Sequence, residues 1–242
     1  IVNLRYQLAI VQPKEDEDAA SLLILSVIIA IVISLVLLGI VHVFNQDISL
    51  ILGIESIGAW LYLTPVSVLV FGLYQPLNYW YVRQQHFKNI AISKVSQGTT
   101  GGIAQLAFGS MAIGPLGLIS GHIIGQVTAL IVLLKNIFKN HQAFKALTLS
   151  KVMRNATRYK KMPQYSSPGA VVDSLSAQMP NFFIVKYFDL VATGFFGLVF
   201  RVLNLPLVLI SGALGQVILQ RLAQDENSSE DGTDPRIFIL KI

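Results

Sequence analysis

The chain has no cysteine. Disulfide frameworks and thiolate metal centres are therefore excluded. Its four histidines, His42, His86, His122 and His141, are scattered and share no metal-ligand spacing. Charge is scarce as well. Asp, Glu, Lys and Arg make up 13% of the 242 residues, about half the share in a soluble globular domain. Acidic residues are absent from the whole of Lys135–Tyr165. That absence removes the carboxylates a membrane glycosyltransferase or polymerase needs in its polar loop.

What is present is apolar sequence, 53% of the chain. It falls into runs that each suit a bilayer crossing of roughly 20 helical residues. Ser21–Phe44 is an uncharged Leu/Ile/Val run, ~36 Å long as a helix, against a hydrocarbon core of ~30 Å. Trp60–Tyr81 follows, with aromatic residues at both ends and Pro65 and Pro76 inside; such prolines are tolerated where neighbours satisfy the freed carbonyls. Val95–Ile113 and Leu116–Leu134 are separated by Gly114 and Pro115 and read as a tight antiparallel hairpin. Pro168–Phe188 and Ala192–Leu219 meet at a turn near Asp189. The fold class expected is all-α, a polytopic transmembrane helix bundle of about six spans.

The segments between the runs are polar. Before the first run, Pro13 breaks any helix and Glu15–Asp18 form an acidic stretch. It reads as a solvated loop whose carboxylates favour the positive end of the following helix. Val82–Lys94 reads as a polar connector. Lys135–Tyr165 carries eight Lys and Arg residues with apolar residues at loosely helical spacing, the pattern of a basic amphipathic helix on a membrane surface. The division expected is 1–134 as a four-span bundle, 135–165 as the basic connector, and 166–242 as a two-span start of a second bundle. Of the eighteen Lys and Arg residues, sixteen fall in 1–20, 82–94, 135–165 and 220–242, and none in 45–59, 114–115 or 189–191. The basic set is thereby assigned to the cytoplasm, and the basic net charge to membrane topology rather than to nucleic acid. Neither end has the look of a natural terminus, so the sequence reads as an internal piece of a longer protein.

Two features inside the runs carry function or packing. Gly117, Gly121 and Gly125 recur every four residues and give one flat helix face on which another helix can pack closely; His122, beside that face, reads as a hydrogen-bonded packing residue. Asp173, Lys186 and Arg201 are charges inside the last pair of runs. A charge at membrane depth costs at least ~2.5–3.5 kcal/mol, so such residues face a bundle interior or a watery path. Asp173 lies ~8 Å from one membrane boundary and Arg201 ~12 Å from the other by helical rise. In a ~30 Å core their depths differ by ~10 Å, too far for a direct ion pair.

Three stretches are similar to bacterial polysaccharide flippases. Arg5–Ala20 (RYQLAIVQPKEDEDAA) resembles their second-to-third helix loop. Tyr74–Val95 (YQPLNYWYVRQQHFKNIAISKV) resembles their fourth-to-fifth helix loop, and Gly194–Ala223 (GFFGLVFRVLNLPLVLISGALGQVILQRLA) the end of their helix pair seven and eight. The family suggested is the O-antigen/polysaccharide (Wzx-like) flippase branch of the multidrug/oligosaccharidyl-lipid/polysaccharide exporter superfamily. The resemblance implies two six-helix bundles facing a central cavity, alternating access, and a multi-pass location in the bacterial inner membrane. It also implies an undecaprenyl-pyrophosphate-linked oligosaccharide as substrate and no cofactor. Partners would be membrane lipids, the remaining helices of the full-length protein and other polysaccharide assembly proteins. Arg201 is the candidate for the phosphate, since a guanidinium offers a planar fork of donors, with Asp173 and Lys186 as further substrate-binding candidates. A cation-coupled drug exporter of the same superfamily is the alternative; Asp173, the only carboxylate well within a run, would have to be its acidic site. A structural membrane protein would leave the buried charges without a use.

The orientation gives the first testable expectation. In intact cells a cysteine at Asn155 stays shielded from impermeant thiol reagents and one at Ser49 labels; the reverse pattern would invert the topology.

Overall fold

A computed structural model describes residues 2–52, 58–111, 114–137, 148–188 and 190–228. All regular structure among them is helical. The chain divides into two compact units, Val2–Lys160 and Lys161–Ile242.

The first unit opens with a short helix, α1 (Tyr6–Ala9), followed by α2 (Asp16–Leu52), α3 (Gly58–Leu61), α4 (Leu63–Arg83), α5 (Phe87–Ser110), α6 (Pro115–Ile137) and α7 (Leu149–Arg158). α2 packs on α1, α4 and α7, α4 on α6, and α5 along α6. α2 bends at Phe44 (φ −104°, ψ 17°). Beyond the bend, the Asn45 amide donates to the Gly58 carbonyl at 2.8 Å.

Among the described residues two helices are long and apolar enough to cross a membrane, over Asp16–Leu50 and Leu116–Lys135. The surface of the unit supports that reading. Val32, Leu35, Val36, Val43, Ile103 and Leu106 are exposed, whereas Asn3, Gln7, Ser26, Ser34, Asn78 and Ser93 are buried. The interior also holds apolar residues such as Ile10, Leu22, Trp80 and Leu133, so it is the extent of exposed apolar surface that departs from a water-soluble domain.

Backbone chemistry explains where the helices stop. Gln85 adopts a left-handed conformation (φ 58°), and the amides of Gln85 and His86 close onto the carbonyls of Val82 and Tyr81, both at 3.0 Å. This cap ends α4 and lets α5 start at Phe87. The expected polar connector Val82–Lys94 is therefore only a short turn, and its remainder is helical. Gly114, at φ 74°, makes the turn into α6, where Pro115 occupies the first helical position with no amide to satisfy.

α5 and α6 approach through glycine. A methyl group placed on Gly121 would lie 2.8 Å from the Gln105 amide nitrogen and 3.1 Å from its Cα. One on Gly125 would lie 2.7 Å from the Gln97 carbonyl oxygen, and one on Gly117 2.7 Å from the Phe108 Cβ. The helix that uses the Gly117/Gly121/Gly125 face is thus the hairpin partner α5. His122 is exposed and its Nε2 lies 3.0 Å from the Gln126 amide nitrogen, one turn along the same helix.

The second unit holds a π-helical turn at Met162–Ser166, then α8 (Ser167–Tyr187) and α9 (Leu190–Ser228). Pro180 lies inside α8 and offers no N–H to the Ser176 carbonyl one turn back. Large side chains such as Leu175, Met179, Phe182, Phe195 and Leu203 are exposed along both helices.

Gly121→Leu is expected to prevent the α5–α6 hairpin from closing, because the obstacle is backbone and cannot turn aside. The loss should reach at least the ~1–3 kcal/mol typical of overpacking, read as a lower melting temperature and less folded protein in the membrane fraction. Wild-type stability would show that α6 does not use this face.

Candidate functional site

Two polar constellations stand out, one in each unit. The first surrounds the start of α2. Asp16, Glu17 and Asp18 occupy its first turn, where carboxylates complement the unpaired amides of the helix end. This is the helix-end role the sequence suggested, but Asp18 is buried rather than solvated. Arg83, in the last turn of α4, reaches Asp16 at 2.9 Å, donates to the Lys14 carbonyl at 3.1 Å and also bonds the Pro13 carbonyl. Lys151 pairs with Glu17.

Asp18 is the buried member. Its Oδ1 accepts from the Asn155 amide at 2.9 Å, and the same amide reaches the Ser21 hydroxyl oxygen at 2.6 Å. The Arg154 and Arg158 guanidinium groups lie 3.6 and 3.8 Å from its carboxylate. Tyr6 donates to the Ala156 carbonyl at 3.0 Å, and burial pushes its phenol above the ordinary value, which keeps it a donor. The helical half of the expected basic connector is therefore fastened to the entry of α2 by paired charges and a buried amide. The pairing and the burial of Asp18 had no sequence signal because the partners of these carboxylates lie far away in the sequence. Asn155 carried no sequence signal beyond being polar at an inward helix position. It is wholly buried, so the thiol test of orientation is better read at the exposed Thr157, with the exposed Gln46 replacing half-buried Ser49.

Inside the same unit, Asn3 was also missed. Its amide donates to the carbonyls of Ser26 at 2.9 Å and Gly72 at 2.8 Å. Pro76, four residues beyond Gly72, has no N–H to give that carbonyl, and Asn3 supplies the missing donor. Ser34 donates to the Pro65 carbonyl and Tyr81 to the Leu133 carbonyl, each at 2.8 Å. These bonds tie helices together, while Gln7 Oε1, Asn78 Oδ1 and Gln126 Oε1 are buried without a hydrogen-bond partner among the described residues. Among the described residues no group of three or more His, Asp or Glu side chains could hold a metal ion.

The second constellation is in α8 and α9. Asp173 lies on α8, exposed, with no ion pair or hydrogen bond to any described residue. The backbones of Lys186 and Arg201 are helical, in α8 and α9 respectively; their side chains lie outside the described ones. Along α8, Ser174 donates to the Ala170 carbonyl at 2.8 Å and Asn181 to Gln178 Oε1 at 3.1 Å. This unit thus carries polar and ionisable residues that its own helices do not consume. Such groups can bind a polar ligand.

A family model described as polysaccharide biosynthesis protein matches residues 5–232. No curated protein and no solved structure matches the chain.

Burial predicts which carboxylate matters. Asp18→Ala should cost about 1–3 kcal/mol, because the buried Asn155 amide loses one of its two acceptors, and should speed tryptic cleavage after Arg154 and Arg158. Asp16→Ala should cost ~1 kcal/mol or less, as expected for a solvent-exposed carboxylate partner. Thermal denaturation and limited proteolysis compare the two, and equal sensitivity would show that burial does not set the strength of this joint.

Proposed function

The chain belongs to the polysaccharide biosynthesis protein family, and on that premise we propose that it is the part of a multi-pass flippase that moves lipid-linked oligosaccharide across the bacterial inner membrane. The substrate class is an oligosaccharide on undecaprenyl pyrophosphate, destined for surface polysaccharide such as O-antigen. The observation that carries the proposal is the family match over residues 5–232. The membrane-compatible helices support it, as do the charges placed in α8 and α9.

The physical task fits those features. A sugar head and two phosphates cannot cross hydrocarbon unshielded, and a protein path must supply hydrogen bonds and countercharge in place of water. In this reading the protein is a transporter and not an enzyme. Arg201 holds the pyrophosphate through bidentate hydrogen bonds, with Lys186 adding countercharge and Asp173 meeting the polar head. The basic segments face the cytoplasm, where the lipid-linked sugar is loaded. A cation-coupled drug exporter would rest on Asp173 as its one acidic site in α8 and α9's apolar runs, and the family match favours the sugar substrate.

The test is translocation of undecaprenyl-pyrophosphate-linked oligosaccharide in vesicles containing the full-length protein. Arg201→Ala is expected to abolish transport while the protein still inserts, and Arg201→Lys to restore part of it, since charge returns without the planar fork. The double swap Asp173→Arg with Arg201→Asp should not rescue transport. Rescue by the swap would make the two residues a structural pair, and undiminished transport by Arg201→Ala would remove Arg201 from the path.

A further inference from the structure

Between Asp173 and Asn181 the helical register of α8 gathers four polar side chains on one side. At 100° per residue, Asp173, Asn181, Ser174 and Gln178 fall in order within an arc of roughly 140°. Val171, Leu175, Ser176, Met179 and Phe182 fall outside it, whereas Ala177 falls inside it and, beyond Asn181, Ile184 and Val185 continue the arc as apolar residues. The four polar residues are exposed or half-buried. Ser174 is tied to its own helix and Asn181 to Gln178. The Gln178 amide nitrogen, the Asn181 carbonyl oxygen and the Asp173 carboxylate make no bond with any described residue. The Ser176 carbonyl, left without its helical donor by Pro180, borders the Asp173 edge of the arc.

The transport reading places α8 within the membrane, where unpaired polar groups must face a partner or a watery path. The chemistry of this face narrows the partner. It offers amide and hydroxyl donors and acceptors with one carboxylate and no cation, and Lys186 falls outside the arc by the same count. Such a face repels phosphate. It matches a surface of hydroxyl and acetamido groups, each able to donate and accept. We propose that the Asp173–Asn181 face of α8, a track ~12 Å long by helical rise, contacts the saccharide of the transported lipid, apart from the arginine that holds its pyrophosphate. This assignment rests on the transport reading above.

The experiment separates sugar from phosphate. Full-length protein in nanodiscs is titrated with undecaprenyl pyrophosphate carrying a neutral trisaccharide, and with bare undecaprenyl pyrophosphate. Wild type should bind the glycosylated lipid more tightly. Gln178→Leu combined with Asn181→Leu should weaken that lipid roughly tenfold, the effect of losing one or two hydrogen bonds, and leave the bare lipid unchanged. Where the leucine pair fails to insert, Gln178→Ala with Asn181→Ser is read by the same criterion. Equal loss on both lipids, or no loss on either, overturns the saccharide track and makes the face a packing surface. Wild type binding both lipids equally overturns the track alone. Wild type binding neither overturns the transport reading, and the track with it.

Discussion

The Asn3 amide, held between the carbonyls of Ser26 and Gly72, shows the constraint on which the first unit depends. A proline in a helix leaves a carbonyl without a donor, and hydrocarbon supplies none. Pro76 creates that vacancy at Gly72, and Asn3 fills it from a turn in which Leu4 and Arg5 both adopt left-handed conformations (φ 47° and 62°). The same bond fastens the chain before α1 to α2 and α4. At this crossing a methyl on Gly72 would lie 2.6 Å from the Ala30 Cβ, so close approach and hydrogen bonding act together. Between apolar helices in lipid the hydrophobic effect contributes little, and such contacts carry the association.

Where the helices reach the acidic entry of α2, ionic bonds take over the joining. They are not equivalent. The Asp16 side chain is 65% exposed and the Asp18 side chain 10%. Water screens the first and much less the second. Asn155 fixes Asp18 from within while Arg154 and Arg158 approach from outside, so α7 is held by a neutral amide at its centre and by charge at its rim. The basic connector is thereby partly neutralised by the acidic turn it sits on.

The second unit presents the opposite condition. Pro180 leaves the Ser176 carbonyl without its helical donor, and among the described residues no side chain replaces it. Asp173 has no described partner either. Both conditions fit helices whose polar face meets water or further protein.

The apolar runs, the glycine spacing of α6 and the turn at Gly114 were legible in the sequence, because each depends on residues close together along the chain. So was the helical register that groups Asp173, Ser174, Gln178 and Asn181. The partners of the acidic turn were not legible. Several basic residues could have paired with Asp16, Glu17 and Asp18, and composition does not choose among them. Nor did any local pattern mark Asn3 as the donor for Gly72 or Asn155 as the amide for Asp18. Sequence alone determined where the apolar helices run and which of their side chains share a face, since both follow from local periodicity and backbone sterics. Tertiary structure alone decided which polar groups satisfy one another, since hydrogen bonds and ion pairs act over a few ångströms in space between residues far apart in the chain.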